Sequence, residues 1–318
     1  MVIKLSWQLE DRESEANFLK LLHERHVSSV PELVASEDLT EMQNEMHGDI
    51  QEILRTSLPR TTDNRIYRAI VLKPYLIPLV EIPDFEVFYR MFKRLVDGGL
   101  RKLEEIPKAN IIAYLSVHYD VYRRGKVLHR DINPQNLMIK CEKSGTYSLF
   151  LIDFDFAIQS DQNGLNWIRT HRTMSTPFLA GELLTENAVP ARYRHDLEAF
   201  FWTFWWISVT YRDGKQIKTK ALEGWSRGKG MDIYYQKAGM ISRRPDWKSV
   251  PTTRNMEGAK PILTLLAKLF RKVYRSLTNK DYISLSDIEG ANSEEKTAYD
   301  DETAGGILTY ESFRSCLV

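Results

Sequence analysis

The pattern of apolar and polar positions near the start of the chain predicts two strands with a helix between them. Met1–Trp7 and Val30–Ala35 have the composition of short strands. Between them, Glu15, Leu19 and Leu22 recur at spacings of four and three residues, so one face of a helix would carry all of them. The chain is therefore expected to begin as a mixed strand and helix unit.

A polar stretch and a group of prolines interrupt the next part of the chain. Ser36–Asn64 lacks a strong hydrophobic period and contains Pro59, so we expect a long loop or insertion there. Strand character returns over Ile66–Leu72. The following stretch, which we expect to be extended, is punctuated by Pro74, Pro78 and Pro83. We place a domain boundary here, between residues 1–80 and residues 81–318.

The second of these units is predicted to be mainly helical around one β-hairpin. Hydrophobic residues at helical spacing predict helices over Asp84–Leu103 and Ala109–Arg124. Leu137–Lys140 and Tyr147–Ile152 have strand character and flank a turn-rich segment, which favours a hairpin. Asp196–Val209 is apolar on all sides, as is typical of a helix buried inside a helical unit. Loops are expected at 211–230 and at 281–302.

Composition narrows the class of protein. Hydrophobic residues make up 43% and charged residues 27%, the values of a soluble globular protein. A formal charge of +1 gives no electrostatic argument for nucleic acid as the main partner, so we expect none. The two cysteines, Cys141 and Cys316, form neither a disulfide framework nor a metal-ligand motif, which favours a reducing compartment. The apolar run Ala199–Val209 is shorter than the roughly 18 residues that span a membrane. We expect an intracellular, cytoplasmic or nuclear protein without a membrane segment.

The clearest candidate chemistry lies in Leu128–Leu137, which reads Leu-His-Arg-Asp-Ile-Asn-Pro-Gln-Asn-Leu and contains the pattern H-R-D-x-x-x-x-N. In the phosphoryl-transfer template with this pattern, the Asp accepts the proton of the substrate hydroxyl and the Asn holds Mg²⁺. Asp131 and Asn136 occupy these positions. A second carboxylate is needed for the metal, and the second hairpin strand leads to Asp153, which would lie beside Asn136.

Each of these signals is weak alone, but their order along the chain is specific. The loop, the hairpin and Leu151-Ile-Asp-Phe-Asp155 are followed by Ser175-Thr-Pro-Phe-Leu-Ala-Gly-Glu182 and by His195-Asp-Leu-Glu198. With these motifs the chain resembles the fungal-type protein kinase domain family, which is related to the eukaryotic serine/threonine kinases. The resemblance extends over nearly the whole chain.

The resemblance implies roles for further residues. Lys4 would contact the ATP phosphates, and Glu15 on the helix would be its ion-pair partner. Glu13 is the alternative partner. Asp196 would brace the catalytic loop through backbone hydrogen bonds. Glu182 would anchor the substrate-binding segment by an ion pair whose partner the sequence does not identify.

Two residues of the loop are expected to give structural support. His129 is interpreted as a packed core histidine, since the template gives it no proton-transfer role. For Arg130, two interpretations stay open: its guanidinium bonds the backbone, or it pairs with a phosphorylated residue in Ile158–Ser175. The tryptophans of the aromatic helix are interpreted as core residues.

The fold that the resemblance implies is α+β, a two-lobed protein-kinase-like fold with a truncated small β-rich lobe and a large, mainly helical lobe. ATP and Mg²⁺ would bind between the lobes. The implied function is transfer of the γ-phosphoryl group to a Ser or Thr hydroxyl of a protein substrate, with Asp131 and Asn133 as catalytic residues. The oligomeric state is not predicted.

The sequence departs from the general kinase pattern at three places. Only three residues precede Lys4, so a glycine-rich phosphate loop is not present ahead of it, and we expect two strands to be missing and activity to be low. Asn133 replaces the usual Lys and can hydrogen-bond phosphate or substrate without neutralising charge. Asp155 replaces the usual Gly, which would stiffen the turn after Asp153, but it fits the fungal family.

Two alternative functions remain at this point. A pseudokinase that acts as a binding module is suggested by the missing glycine-rich loop. A small-molecule kinase of the aminoglycoside or choline type is suggested by Asp153-Phe-Asp155. Arg130 and the segment before Glu182 favour a protein kinase over the second alternative.

Overall fold

The computed structural model describes residues 1–10, 12–39, 65–82, 87–88, 112–143, 147–160, 176–185, 189–219, 222, 224–225, 228, 230–243, 247–286 and 299–317. Helices and small antiparallel sheets are both present in these parts of the chain. This mixed content agrees with the expected α+β class.

The N-terminal sheet contains three antiparallel strands in the order β1-β3-β2, namely β1 (Val2–Leu9), β2 (Glu32–Asp38) and β3 (Arg65–Lys73). The second strand starts after Pro31 because proline has no N–H to donate to the ladder. It continues through Asp38, so the predicted loop is wrong at 36–38. These polar residues remain in the strand because β2 needs only backbone pairing with β3 while its side chains face solvent. The rest of the predicted loop, 40–64, lies outside the described residues.

Helix α1 (Glu15–Glu24) follows β1 and packs against β2. The hydroxyl of Ser14 caps the helix by accepting a hydrogen bond from the backbone N–H of Asn17 at 3.2 Å. Leu19 and Leu22, which the spacing assigned to one face, are fully buried. Glu15 lies in the first turn and is only 1% exposed, so the helix carries a carboxylate into the interior.

A second sheet carries the predicted hairpin. Its strands are β4 (Ile77–Pro78), β6 (Leu137–Cys141) and β7 (Tyr147–Leu151), and the short strands β5 (Val127–Leu128) and β8 (Ile158–Gln159) pair separately. In the hairpin, Leu137 lies opposite Leu151. Because β4 pairs with β6, the chain passes from the first sheet to the second within the proline-rich stretch. Helix α2 (Ile112–Arg123) precedes β5, and the helix predicted over Asp84–Leu103 lies outside the described residues except at 87–88.

The C-terminal half is mainly helical. Its helices are α3 (Tyr193–Thr210), α4 (Gly230–Arg243), α5 (Lys260–Ser286) and α6 (Tyr310–Ser315), and two short strands after α3 are β9 (Tyr211–Arg212) and β10 (Lys215–Gln216). The two predicted loops are therefore wrong in part. A small hairpin forms at the start of 211–230, and the amphipathic α5 continues into 281–302 as far as Ser286.

One hydrophobic core runs from α1 through the β6-β7 hairpin to α3 and α5. Helix α3 lies in its middle, and Trp202 and Trp205 are 1% and 4% exposed, so these tryptophans are core residues as predicted. In the described parts of the chain, no helix combines the length and the apolar character that crossing a membrane requires.

Candidate active site

Lys4 lies at the centre of an acidic cluster. Its Nζ atom is 2.6 Å from Oε2 of Glu15, 2.8 Å from Oδ1 of Asp153 and 2.9 Å from Oδ2 of Asp155. Strand β1 supplies Lys4, the first turn of α1 supplies Glu15, and the segment after β7 supplies the two aspartates. Glu13, the rival of Glu15, accepts a hydrogen bond from Asn17 on the surface instead.

Burial and charge work against each other in this cluster. Burial alone would lower the pKa of Lys4, but the three carboxylates raise it above its usual value, so Lys4 is a cation. Burial raises the pKa of Glu15, and the charge of Lys4 only partly offsets this. For Asp153, burial would raise the pKa, but the charge and hydrogen bond of Lys4 hold it below the usual value, so Asp153 is ionised.

The loop 129–136, which we call the catalytic loop after the role that the resemblance implies, brings Asp131 and Asn136 together. The side-chain Nδ2 of Asn136 donates to the backbone oxygen of Asp131 at 2.8 Å and to its Oδ2 at 3.1 Å. Because the amide nitrogen is committed to Asp131, the amide oxygen is the ligand atom that Asn136 could offer to a metal. Both residues are buried, with 8% exposure for Asp131 and 4% for Asn136.

The hairpin places Asn136 next to Asp153. The backbone N–H of Ile152, the residue before Asp153, donates to the backbone oxygen of Asn136 at 3.2 Å. The N–H of Phe154 then donates to Oε1 of Glu15 at 3.1 Å, which ties this segment to α1. Asp153 has a φ of 66°, in the left-handed region that Asp tolerates better than most residues.

Asp196 and His129 hold the catalytic loop in place through hydrogen bonds. Oδ2 of Asp196 accepts from the N–H of His129 at 2.9 Å and Oδ1 from the N–H of Arg130 at 3.0 Å, the contacts that the resemblance implies. Asp196 Oδ2 is also 2.9 Å from Nε2 of His118. Burial lowers the pKa of His129, so its ring is neutral: Nε2–H donates to the oxygen of Ile152 and Nδ1 accepts from the N–H of Asp131.

Asn133 makes hydrogen bonds within the catalytic loop, and Arg130 makes one to the segment after β7. Oδ1 of Asn133 accepts from the N–H groups of Gln135 and Asn136 at 2.9 and 3.2 Å, so the side chain shapes the loop. Its contact with phosphate or substrate stays a prediction. Nη1 of Arg130 donates to the backbone oxygen of Phe156 at 3.4 Å, as the first interpretation predicts. Three of the four Ser and Thr residues in Ile158–Ser175, namely Thr170, Thr173 and Ser175, lie outside the described residues.

The sequence matches the family described as fungal protein kinase over residues 1–97 and 109–208. The chain belongs to the fungal protein kinase family. The matched residues include both sides of the site, from Lys4 to Asp196. A comparison with curated proteins finds no match.

In this member of the fungal protein kinase family, the partners of Glu182 come from the first turn of α3. Oε2 of Glu182 is 2.5 Å from Nη2 of Arg194 and 3.1 Å from Nε2 of His195. Burial would raise the pKa of Glu182, but the hydrogen bond and charge of His195 and the charge of Arg194 lower it to about 2. The sequence did not predict these two partners, although they directly precede Asp196, for which the resemblance implied a role.

The cluster around Lys4 offers a suitable donor set for Mg²⁺. Carboxylate oxygens of Glu15, Asp153 and Asp155 lie within 4.8 Å of one another, and hard oxygen ligands are those that Mg²⁺ prefers. Their side chains are 1%, 31% and 16% exposed, respectively. Asp153 is therefore the carboxylate that a metal arriving from solvent can reach most easily.

The sequence did not predict the residues that hold Asp155. Nε2 of Gln8 donates to Oδ1 of Asp155, and Nη1 of Arg12 donates to its backbone oxygen at 3.1 Å. The Arg12 guanidinium also lies over the Phe156 ring, 4.6 Å from its centre. One signal could have identified Gln8: it lies four positions after Lys4 in a strand, so both side chains share one face.

Proposed function

We propose that this member of the fungal protein kinase family transfers the γ-phosphoryl group of ATP, in the presence of Mg²⁺, to a Ser or Thr hydroxyl of a protein substrate. The observation that carries the proposal is the meeting of Lys4, Glu15 and Asp153 in one cluster, beside a loop in which Asn136 contacts Asp131. These are the parts that phosphoryl transfer requires, since it depends on positioning and charge neutralisation.

Each residue has a distinct role in this proposal. Lys4, held by Glu15, contacts the phosphates, and Asp153 with the amide oxygen of Asn136 holds the metal. Mg²⁺ supplies neutralisation of the charge on the phosphate oxygens. Asp131 accepts a hydrogen bond from the substrate hydroxyl and orients its oxygen toward the phosphorus. Asn133 supports the loop that carries Asp131.

The proposal includes the arrangement of the molecule. The N-terminal sheet with α1 would form the small lobe of a two-lobed kinase, and the part from 81 onward the large lobe. Lys4 and Glu15 come from the first and Asp131 and Asn136 from the second, so nucleotide would bind where the two parts meet. An intracellular protein with accessible Ser or Thr residues would be the acceptor.

A transfer assay with radiolabelled ATP and a generic Ser/Thr protein substrate tests the proposal. We expect phosphate incorporation that requires Mg²⁺ and that falls at least about 100-fold in Asp131→Asn, because the substrate hydroxyl loses its carboxylate partner. Acid hydrolysis of the labelled product identifies the phosphorylated residue type.

Three other results would contradict the proposal. Nucleotide binding without any transfer by the wild type would point to a binding module. Equal transfer by the wild type and Asp131→Asn would remove Asp131 from the reaction. Transfer to choline or an aminoglycoside but not to protein would show a small-molecule kinase.

A further inference from the structure

Gln8 is a buried polar residue that joins the acidic cluster to the N-terminal sheet. It is 5% exposed, its Nε2 donates to Asp155 Oδ1, and its Oε1 accepts from Nη1 of Arg68 at 2.7 Å. Both neighbours require this orientation of the amide. The flipped amide would place its oxygen against a carboxylate and its nitrogen against a guanidinium.

Strand β2 supplies a second partner for Arg68. Asp38 lies directly opposite Arg68 in the β2-β3 pairing, and its Oδ1 is 2.9 Å from Nε of Arg68. Gln8 lies on β1 diagonally from Arg68, which pairs with Ser6. Each of the three strands thus contributes one side chain to a row that ends at Asp155.

The carboxylates around Lys4 have other hydrogen-bond donors besides Lys4. These donors determine how easily Lys4 can leave the carboxylates. Glu15 has the N–H of Phe154 as a further donor, and Asp155 has the Gln8 amide. When Lys4 turns toward a phosphate, a carboxylate with another donor loses less than one that depends on Lys4 alone. Gln8 therefore lowers the cost of moving Lys4 away from Asp155.

We propose that Gln8, fixed by Arg68, is a positioning residue that holds Asp155 so that Lys4 can exchange from Asp155 to the phosphates of a nucleotide. The inference rests on the proposed function, because it assigns a task to Gln8 in nucleotide binding. Gln8 acts through Asp155 and touches neither nucleotide nor substrate.

The first test is the variant Gln8→Leu, which keeps a side chain of similar size without the amide. Asp155 then has Lys4 as its remaining side-chain partner in the described part of the chain, and the pair tightens. We expect the Kd for Mg²⁺–ATP, measured by calorimetry, to rise roughly tenfold, because Asp155 loses this remaining side-chain donor when Lys4 moves to the phosphates. The KM for ATP should rise with it while kcat changes less.

A second variant separates positioning from a general effect on folding. In Gln8→Leu/Asp155→Asn, residue 155 carries no charge to retain Lys4, so we expect nucleotide affinity to return to within about threefold of the wild type. A merely structural role of Gln8 predicts no such rescue. The control is Ser6→Ala, since Ser6 lies on the same strand face between Lys4 and Gln8, and its nucleotide affinity should not change.

A measurement without nucleotide tests the same coupling. The rate at which acetic anhydride acetylates Lys4, followed by mass spectrometry, depends on how often its Nζ atom leaves the carboxylates, because the nitrogen is accessible to the reagent only then. We expect a rate at least about threefold slower in Gln8→Leu and a rate above the wild type in the double variant.

The outcomes distinguish the two proposals. If the wild type binds no nucleotide but Lys4 acetylation follows the expected order, the proposed function fails while the hold of Gln8 on Asp155 stands. If acetylation and nucleotide affinity are the same in wild type and Gln8→Leu, Gln8 has no positioning role. Weaker nucleotide binding in Gln8→Leu without rescue by Asp155→Asn also overturns the proposal.

Discussion

At the scale of single residues, the site combines more negative than positive charge. One lysine, Lys4, contacts three carboxylates, and Asp153 is the most exposed of these. A cation that enters the site thus meets a carboxylate that is ionised and open to solvent. The charge of Asp153 is needed for its proposed function far more than for packing.

We therefore expect Asp153→Ala to lose Mg²⁺-dependent nucleotide binding and to keep the fold. A carboxylate with 31% exposure contributes little packing, and the variant should lose the difference in ATP affinity between buffers with Mg²⁺ and with EDTA. Asp120→Ala is a matched control, because Asp120 is also 31% exposed but lies on α2 in an ion pair with Arg124. Retained Mg²⁺ dependence in Asp153→Ala would exclude Asp153 as the metal ligand.

Glu182 makes the stability of the protein depend on pH. Its pKa of about 2 lies below the ordinary value of 4.5, so its ionised form stabilises the fold above pH 4.5, and this contribution is lost as pH falls toward 2. We expect Glu182→Gln to be less stable than the wild type by about 2 kcal/mol at pH 7. In urea unfolding at several pH values, this difference should shrink below pH 4.5; a constant difference down to pH 3 would contradict the ion pair.

At the scale of elements, helix α3 binds the segments around it through its polar side chains. Its first turn binds Glu182 through Arg194 and His195, and Asp196 binds the catalytic loop. One turn later, Oε1 of Glu198 accepts from the N–H of Gly181 at 2.9 Å. A helix that is buried on all sides thus carries its polar groups where backbone donors of two neighbouring segments need partners.

The role of α3 predicts that Asp196→Ala strongly lowers the stability of the protein. The variant would leave the buried N–H groups of His129 and Arg130 without their acceptor, so we expect a loss of roughly 2 kcal/mol or more in unfolding free energy. Chemical denaturation measures it. The exposed Glu10→Ala serves as the surface control, and equal midpoints for the two variants would show that Asp196 does not brace the loop.

At the scale of the whole molecule, a buried lysine joins three separate segments. Lys237 on α4 is fully buried, its Nζ donates to the backbone oxygen of Leu179, and it lies 4.9 and 5.5 Å from the rings of Trp202 and Trp225. Burial lowers its pKa to about 7, although the charge of Glu198 raises it. The segment that precedes Glu182 is thus attached to the helical core by a titratable group.

This lysine should give the protein a characteristic rise in stability with pH. Between pH 7 and 10.5 the unfolded chain keeps the proton on Lys237 while the folded protein releases it, so the free energy of unfolding rises with pH. Lys237→Met lacks this contribution. We expect the stability of the wild type relative to Lys237→Met to increase by roughly 3 kcal/mol from pH 7 to pH 10 in urea unfolding. Lys268→Met, on an exposed face of α5, is the control and should show no such trend.

Much of the site could be predicted because its residues lie in contiguous motifs. Asp131 and Asn136 belong to one loop, and the hairpin that brings Asn136 beside Asp153 follows from two short strands and the turn between them. The buried helix α3 was evident from its apolar residues on all sides. In these cases the interaction is local, so periodicity and spacing determine which residues meet.

The tertiary structure alone decided the contacts between segments that are distant along the chain. The sequence offered several acidic residues near Lys4, but packing of α1 buries Glu15 against it and leaves Glu13 on the surface. Gln8 meets Asp155 because the sheet and the end of β7 converge in space. Local patterns describe which face of an element a side chain occupies, whereas the partner on another element depends on how those elements pack.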